Sequence, residues 1–365
     1  MQYAEVWSAG NFISTLFPDA ELSSQRISDF LEELGKESHW RNFFSSYIKC
    51  VAGDKVGIIA DSTGMPNEID IPVTAWGNHG GDTQLETRLL MVIDKDTGRP
   101  LYFRYMAGNI VDVSTLKNTI AELSEMGVKT SYALIDAGYY SEANIRALYS
   151  EKISFLTRLP ANRKLYNNLI ATHTDIESVK NAVIYGGRAL YVKKVEVDLY
   201  ENKGFAYVIC DIRRKGDETT KYLISAKEDG LSDEEMGTAL NEKGKFILIS
   251  SEDVPISEII PMYYTRQTAE KLFGVSKSFI DLLPLRTHKI ETLRGYLMLT
   301  FITLLIYLEM KSRLKGKFTV ERAIVDMGNL MSKSYGNHTI ICEPNKNMKA
   351  IAELLGFMVP MTLGV

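Results

Sequence analysis

The sequence has few of the residues that hold a chain together through covalent bonds or zinc. It contains three cysteines and five histidines among 365 residues. The cysteines, Cys50, Cys210 and Cys342, are far apart and include no CxxC pair. This pattern argues against a disulfide framework and predicts a reducing compartment, the cytoplasm. The histidines show no zinc-ligand spacing, so no zinc site is expected either.

Signals for export and for membrane insertion are also lacking. The first twelve residues, MQYAEVWSAGNF, have neither the basic segment nor the apolar run of a signal peptide, so we expect no export. One apolar run stands out, GYLMLTFITLLIYL at residues 295–308. As a helix it would span about 21 Å, which is short of the ~30 Å hydrocarbon core of a bilayer. The run therefore predicts a buried core helix.

The charge balance argues mildly against a nucleic-acid partner when the chain is averaged as a whole. The net charge is -4, 45% of the residues are hydrophobic and 24% are charged, which is typical of a soluble globular protein with a sizeable core. The charge is unevenly spread, because residues 261–317 contain ten Lys and Arg against four Asp and Glu. This stretch is distinctly basic in an acidic chain.

The order of the predicted elements indicates an α/β protein with a mixed sheet. Residues 1–52 predict a helical N-terminal segment, a candidate for DNA binding. Residues 53–160 follow the order strand, strand, strand, helix, strand, helix, strand, which is typical of a mixed sheet with flanking helices. Residues 161–252 alternate with period two and predict a β-rich insertion with one helix near residues 233–240. Helices return over 253–335, and 336–365 form a C-terminal tail.

Two aspartates follow hydrophobic strands of this pattern. Asp61 comes after VGIIA, and Asp136 comes after SYALI. Ligands of open α/β sheets bind at the carboxyl ends of strands, so the two carboxylates converge if their strands are neighbours. Their repulsion would require a cation between them, and Mg²⁺ is the natural cation for oxygen ligands beside phosphate. For either aspartate alone, a turn or cap residue is the plainer interpretation.

A third acid lies in the predicted helix YYTRQTAEKLFGVSK, residues 263–277. Tyr263, Arg266, Glu270 and Lys277 fall within about 60° of one another on a helix that turns 100° per residue. Glu270 is placed to supply a third metal ligand. The plainer interpretation is an Arg–Glu pair at four-residue spacing, worth a few tenths of a kcal/mol. The order strand-Asp, strand-Asp, helix-Glu favours the metal site.

These motifs carry a resemblance to a known family. The residues of 263–277 match, without a gap, the signature Y-(2)-R-(3)-E-(6)-K, and IIADST and LIDAGYYS resemble the aspartate motifs of the same family. The chain resembles a DDE transposase of the bacterial insertion-sequence group that carries this YREK signature, over roughly residues 15–310. The resemblance implies a ribonuclease-H-like catalytic core that is interrupted by a mostly β insertion before the helix bearing the glutamate.

The resemblance also implies an activity and its residues. Asp61, Asp136 and Glu270 would be catalytic and would bind two Mg²⁺ ions, for which Mn²⁺ can substitute. Tyr263, Arg266 and Lys277 would contact transposon-end DNA. The implied reaction is hydrolysis at transposon ends followed by strand transfer into target DNA, and the implied partners are double-stranded DNA and a second copy of the chain in a synaptic complex. The implied location is the cytoplasm, in association with the nucleoid.

Three alternatives stay open at this point. A ribonuclease-H-like nuclease would use the same acids without strand transfer, and a decayed or domesticated copy would bind DNA without cutting it. A phosphotransferase built on DSTG is the third.

Two further predictions concern arginines. Arg158, which follows the last strand of the core, is a candidate to face the site. Arg213, Arg214 and Lys215 are predicted to form a solvated turn, with DNA contact as the alternative.

Overall fold

The structure is a computed structural model that describes the whole chain apart from residues 1–2, 79–82, 111, 229–238, 281, 284, 286, 336–337, 361 and 365. The helix predicted near residues 233–240 lies largely outside the described residues. The chain divides into two compact units. The sheet unit comprises Phe43–Glu68 and Val73–Phe273, and the helical unit comprises Met1–Asn42, Ile69–Pro72 and Gly274–Val365.

The regular elements are numbered in chain order. The strands are β1 (Val56–Pro66), β2 (Ala75–Asn78), β3 (Thr83–Asp94), β4 (Pro100–Ala107), β5 (Thr130–Ile135), β6 (Ser154–Arg158), β7 (Ala182–Tyr185), β8 (Arg188–Asp198), β9 (Lys203–Asp211), β10 (Lys245–Ser250), β11 (Ser332–Tyr335), β12 (His338–Ile341) and β13 (Thr362–Gly364). The α-helices are α1 (Ala4–Ala9), α2 (Ile13–Leu16), α3 (Ser24–Leu34), α4 (Glu37–Val51), α5 (Leu116–Glu125), α6 (Glu142–Ser150), α7 (Lys164–Thr172), α8 (Ile212–Glu228), α9 (Ile256–Tyr264), α10 (Gln267–Gly274), α11 (Ile290–Leu314), α12 (Val320–Gly328) and α13 (Lys346–Leu355). A π-helical turn occupies Val275–Phe279.

The sheet unit is built on one mixed sheet with the strand order β2-β3-β1-β5-β6-β10-β9-β8-β7, and β4 pairs with β3. Strands β4, β3 and β1 are antiparallel neighbours, whereas β1, β5 and β6 run parallel. Helix α5 connects β4 to β5, and helix α6 connects β5 to β6. This arrangement confirms the predicted α/β class and is consistent with a ribonuclease-H-like core.

The central strands form where the sequence is β-branched and apolar on both faces. In β1, the residues from Val56 to Met65 are all buried, as expected for a strand that is covered on both sides. The crossover helix α6 is capped by Ser141, whose hydroxyl accepts a hydrogen bond from the backbone N–H of Asn144 at 3.2 Å. The parallel core and its crossover helices therefore follow directly from local sequence signals.

The β-rich segment after β6 continues the same sheet, because β10 pairs with β6 and leads on to β9, β8 and β7. The segment also contains two helices, α7 and α8, which its sequence pattern does not predict. The prediction that Arg213, Arg214 and Lys215 form a solvated turn is wrong, since they lie in the first turn of α8. The Asp211 carboxylate accepts from the backbone N–H groups of Arg213 and Arg214, at 3.0 and 3.2 Å, and so caps this helix.

The helical unit is organised around α11, which packs against α3, α12 and α13. The core helix predicted over 295–308 is the middle of this longer, 25-residue helix. Among the described residues, α11 alone has the length and composition to cross a membrane, a test that the core helices of soluble proteins also pass. Where α11 crosses α3, a Cβ atom on Gly295 would lie 1.9 Å from the carbonyl oxygen of Leu31, so the crossing requires glycine.

Candidate active site

The two predicted aspartates lie side by side on neighbouring strands. The parallel pairing of β1 with β5 ends at Ala60 and Ile135, and Asp61 and Asp136 are the next residues on each strand. The sequence pattern predicts that strand β1 ends at Asp61, but the strand continues to Pro66 by pairing with β3. The longer β3 supplies hydrogen-bonding partners beyond the point where β5 stops. Asp61 is therefore held in a rigid strand, while Asp136 opens a loop.

Arg266 connects these aspartates to the third acid. Its Nη1 atom donates to Asp61 Oδ2 at 3.1 Å and lies 4.0 Å from Asp136 Oδ2. Its Nη2 atom donates to Glu270 Oε1 at 3.0 Å. The carboxylates of β1, the β5 loop and α10 thus surround one guanidinium group, which brings the three predicted acids to a single place in the sheet unit.

The environments of the three acids differ. Asp61 is buried and is held by the backbone N–H of Ser62, which donates to Oδ1 at 3.1 Å. Burial raises the pKa of Asp61 to about 7; Arg266 opposes this rise, and the nearby negative charges of Asp136 and Glu270 add to it. Glu270 is exposed, with 54% of its side chain accessible. One arginine does not balance three carboxylates, and this excess of negative charge is typical of a functional site.

The donor set fits a divalent cation in its chemistry, because three carboxylate groups are hard oxygen ligands of the kind that Mg²⁺ and Mn²⁺ prefer. Within the described ranges, no group of three His, Cys, Asp or Glu side chains stands at metal-ligand spacing. The oxygens of Asp61, Asp136 and Glu270 are instead arranged around the guanidinium of Arg266.

The prediction of a single helical face over 263–277 is wrong. Helix α9 ends at Tyr264, and α10 starts at Gln267 after a tight turn in which Arg266 N–H bonds to Tyr263 O at 3.2 Å. The hydroxyl of Thr265 donates to Met262 O at 2.7 Å, and such back-bonding favours a bend. The bend, rather than helical periodicity, directs Arg266 and Glu270 toward the aspartates.

The other two signature residues have different surroundings. Tyr263 is buried, and its ring centre lies 5.9 Å from the Cζ atom of Arg266, within the range of a cation–π interaction. The ring of Tyr263 thus packs against the guanidinium group of Arg266. Lys277 lies in the π-helical turn Val275–Phe279, which belongs to the helical unit.

A cleft of about 460 Å³ opens beside Glu270 and Arg266 in the sheet unit. Four further arginines line it, from the end of β6, the β7–β8 hairpin and the start of α8; they are Arg158, Arg188, Arg213 and Arg214. Arg158, which the sequence analysis gives as a candidate to face the site, lines this cleft. Arg188 is not among the predicted residues, and for Arg213 and Arg214 contact with DNA is only the alternative to a solvated turn, although an aspartate cap followed by two arginines in DIRRK is a usable signal.

Two guanidinium groups of the arginine cleft lie against one aromatic ring. Arg158 and Arg214 approach the same ring, that of Phe246, with Cζ atoms 5.4 and 5.8 Å from its centre. Arg214 is also paired with Glu218. Arg158 makes no ion pair with any carboxylate in the part of the chain that the structure describes. A cation–π contact fixes a guanidinium without neutralising its charge, so Arg158 is oriented and keeps its charge available.

The fold and the carboxylate cluster are those of an α/β protein with a candidate metal site on its central parallel strands. Residues 52–306 match the family described as Transposase DDE domain, and the chain belongs to this family. Members of the family generally use divalent metal ions. No curated protein matches the chain.

Among solved structures, the chain is similar to the piggyBac transposase in a cryo-EM structure of its synaptic complex with hairpin DNA. The TM-score is 0.45 at 11% sequence identity, and the match covers 94% of this chain. The chain spans 61% of the length of that transposase chain.

Proposed function

We propose that the chain is a DNA transposase of the group carrying the YREK signature, which cuts DNA at transposon ends and joins those ends to target DNA. The observation that carries the proposal is the convergence of Asp61, Asp136 and Glu270 around the guanidinium group of Arg266. All four residues lie inside the segment that matches the Transposase DDE domain family. The reaction class is phosphoryl transfer between polynucleotides. Its setting is the cytoplasm, at the nucleoid.

Asp61, Asp136 and Glu270 are proposed to hold the divalent ions, Mg²⁺ or Mn²⁺. When bound, a pair of ions activates the attacking water or 3′-hydroxyl and stabilises the leaving oxygen of an in-line displacement. The protein contributes rigidity through Asp61, which is buried in β1 and fixed by Ser62 N–H. Asp136 and Glu270 are more accessible, with 40% and 54% of their side chains exposed, and face the entering phosphate.

The DNA strand is proposed to pass along the arginine cleft toward these carboxylates. Arg158, with no carboxylate partner among the described residues, and Arg266 bind phosphate oxygens and hold the strand in register. Tyr263 and Lys277 complete the proposed contacts with transposon-end DNA. Double-stranded transposon-end and target DNA and a second copy of the chain are the proposed partners.

The test uses the DNA that flanks the coding sequence of this chain in its own genome. The purified protein, the two flanking fragments and a supercoiled plasmid are incubated with Mg²⁺, and we expect cut fragment ends joined to the plasmid. Asp61→Asn, Asp136→Asn and Glu270→Gln should each lower the yield by more than the ~100-fold that losing an outer-shell partner of a metal costs. Glu258→Gln, an exposed acid in the first turn of α9, is the matched control that keeps activity.

The products separate the proposal from its alternatives. Cutting without joined products would identify a nuclease and overturn the strand-transfer step. Binding of the fragments without any cutting in Mg²⁺ or Mn²⁺ would identify a DNA-binding copy that has lost catalysis. Turnover of ATP without any change in the DNA would identify a phosphotransferase.

A further inference from the structure

Arg266 contacts one oxygen atom of each of the three carboxylates that are proposed as metal ligands. Its guanidinium nitrogens are 3.1 Å from Asp61 Oδ2, 3.0 Å from Glu270 Oε1 and 4.0 Å from Asp136 Oδ2. A Mg²⁺ ion binds such oxygens at roughly 2.0–2.1 Å. A guanidinium and an ion cannot both stand among the same oxygens at these distances. Arginine and metal therefore compete for one set of ligands.

We propose that Arg266 is a tethered counter-ion of the three carboxylates, which the divalent ion displaces and a DNA phosphate then receives. This inference rests on the proposed function, because it takes Asp61, Asp136 and Glu270 as the metal site. It assigns Arg266 a role before DNA arrives, in addition to contacting DNA afterwards. In this role Arg266 is a positioning residue, because it acts on the ion through the oxygens that both use.

Burial explains why a counter-ion is needed. Asp61 is 7% exposed, and its charge is opposed by desolvation and by two neighbouring carboxylates. A buried carboxylate without a cation is strongly destabilising. The guanidinium of Arg266, anchored over the ring of Tyr263, keeps the cluster assembled in the absence of another cation.

The arginine cleft determines what happens to a displaced Arg266. Arg266 lines this cleft together with Arg158, Arg188, Arg213 and Arg214, against two further acids, Asp211 and Asp217, so a guanidinium that leaves the carboxylates enters a cleft in which arginines outnumber carboxylates. Without DNA, displacement breaks the three ion pairs of Arg266 and brings its guanidinium closer to the other arginines. With DNA in the cleft, a phosphate offers the displaced guanidinium a bidentate partner.

Metal binding and DNA binding should therefore favour each other. DNA relieves the competition for the carboxylates, and the ion frees Arg266 for the phosphate. The coupling is reciprocal by thermodynamic linkage, so each ligand raises the affinity for the other by the same factor. In this way the protein assembles its metal site mainly when a strand is in place to be cut.

The experiment measures Mn²⁺ affinity by electron paramagnetic resonance, with and without a mixed-sequence duplex, for the wild type and Arg266→Gln. Glutamine keeps a side-chain hydrogen-bond donor and removes the charge. Without DNA, we expect Arg266→Gln to bind Mn²⁺ at least about tenfold more tightly, equivalent to about 1.4 kcal/mol. Addition of the duplex should tighten Mn²⁺ binding by the wild type and leave Arg266→Gln unchanged. Equal or weaker Mn²⁺ binding by Arg266→Gln overturns the inference.

Two further variants keep the result interpretable. Asp61→Asn should lose Mn²⁺ binding; if it binds as the wild type does, the ion is held elsewhere and the proposed function fails as well. If Asp61→Asn loses Mn²⁺ while Arg266→Gln fails to gain affinity, only the counter-ion role fails. Circular dichroism checks the folding of each variant. Should Arg266→Gln unfold, Arg266→Lys takes its place, because a single ammonium bridges fewer of the oxygens and should also bind Mn²⁺ more tightly than the wild type.

Discussion

Arg158 and Arg214 lie over the same phenyl ring, yet they differ in the charges around them. Arg214 is paired with Glu218, whereas Arg158 has no carboxylate partner in the described part of the chain. If Arg158 binds a DNA phosphate, Arg158→Gln should weaken binding of all DNA sequences alike. It should also make the slope of log affinity against log salt shallower by about 0.7–0.9, the contribution of one phosphate contact.

Arg214→Gln is the matched control, since it removes the same group from the same ring of Phe246. Its charge is already balanced by Glu218, so its salt slope should change less. Fluorescence anisotropy at several salt concentrations measures both slopes. A slope for Arg158→Gln that equals the wild-type slope would contradict the contact.

The cysteines offer a second test at the residue scale. Cys210 is buried, and burial raises the pKa of its thiol from 9.0 to about 11, whereas Cys50 is exposed. A folded-state pKa above the unfolded value means that Cys210 stabilises the fold at pH below 9 and that this contribution is lost as the pH rises toward 11. At pH 8, iodoacetamide should alkylate buried Cys210 far more slowly than exposed Cys50, because burial excludes the reagent and the raised pKa of Cys210 leaves less of it as the reactive thiolate.

Mass spectrometry of timed samples measures the two alkylation rates. In guanidinium chloride the difference should vanish, since both thiols are then solvated. Similar rates for Cys50 and Cys210 in the folded protein would show that β9 is more open than its burial indicates.

At the scale of elements, the sequence was most informative where local and tertiary preferences agree. The hydrophobic runs of β1 and β5 and the capped helix α6 were predictable from residue type alone. Helix α8 was not predictable in this way, because its first turn depends on the Asp211 cap and its polar and apolar residues alternate as they do in a strand. The bend between α9 and α10 was missed for a similar reason, since a threonine hydroxyl redirects the backbone there.

Two glycines test how turns fix the β-rich part of the sheet unit. Gly244 and Gly187 share a φ of +72°, but a Cβ atom on Gly244 would lie 2.6 Å from the Cα of Lys215, whereas Gly187 has open space around it. Gly187→Ala should cost about 1–2 kcal/mol for the left-handed backbone alone. Gly244→Ala should cost about 1–3 kcal/mol more, because the junction of α8 with β10 must shift. Urea unfolding of both variants gives the difference, and equal costs would exclude the steric contribution.

At the scale of the whole molecule, the candidate site was more predictable than the chain path that builds it. The order of Asp61, Asp136 and Glu270 along the sequence carried the chemistry, because two neighbouring parallel strands and a helix of the same unit bring them together. The arginine cleft depends on strands β7 to β10 extending that sheet, which no local pattern specifies. The composition of the helical unit from segments at both ends of the chain was equally invisible, since contacts between distant residues leave no periodic signal.

The crossing of α3 and α11 joins those distant segments and can be tested directly. A Cβ atom on Gly295 would lie 1.9 Å from Leu31 O, so Gly295→Ala should separate the two helices. Hydrogen exchange followed by mass spectrometry should then show faster exchange of the α3 amides. Gly328→Ala in α12, where no atom lies within 4 Å of the added Cβ, is the control and should leave α3 protected. Unchanged protection in Gly295→Ala would mean that α3 holds its place without this crossing.

The same crossing sets a delay during synthesis. A ribosome adds about 5–20 residues per second, and Ile290, the first residue of α11, comes 256 positions after Leu34, the last residue of α3 (290 − 34). Helix α3 therefore waits roughly 10–50 seconds for the surface on which it packs. During that interval its amphipathic face is open to chaperones and proteases. Helix α3 is therefore made well before the helix that buries it.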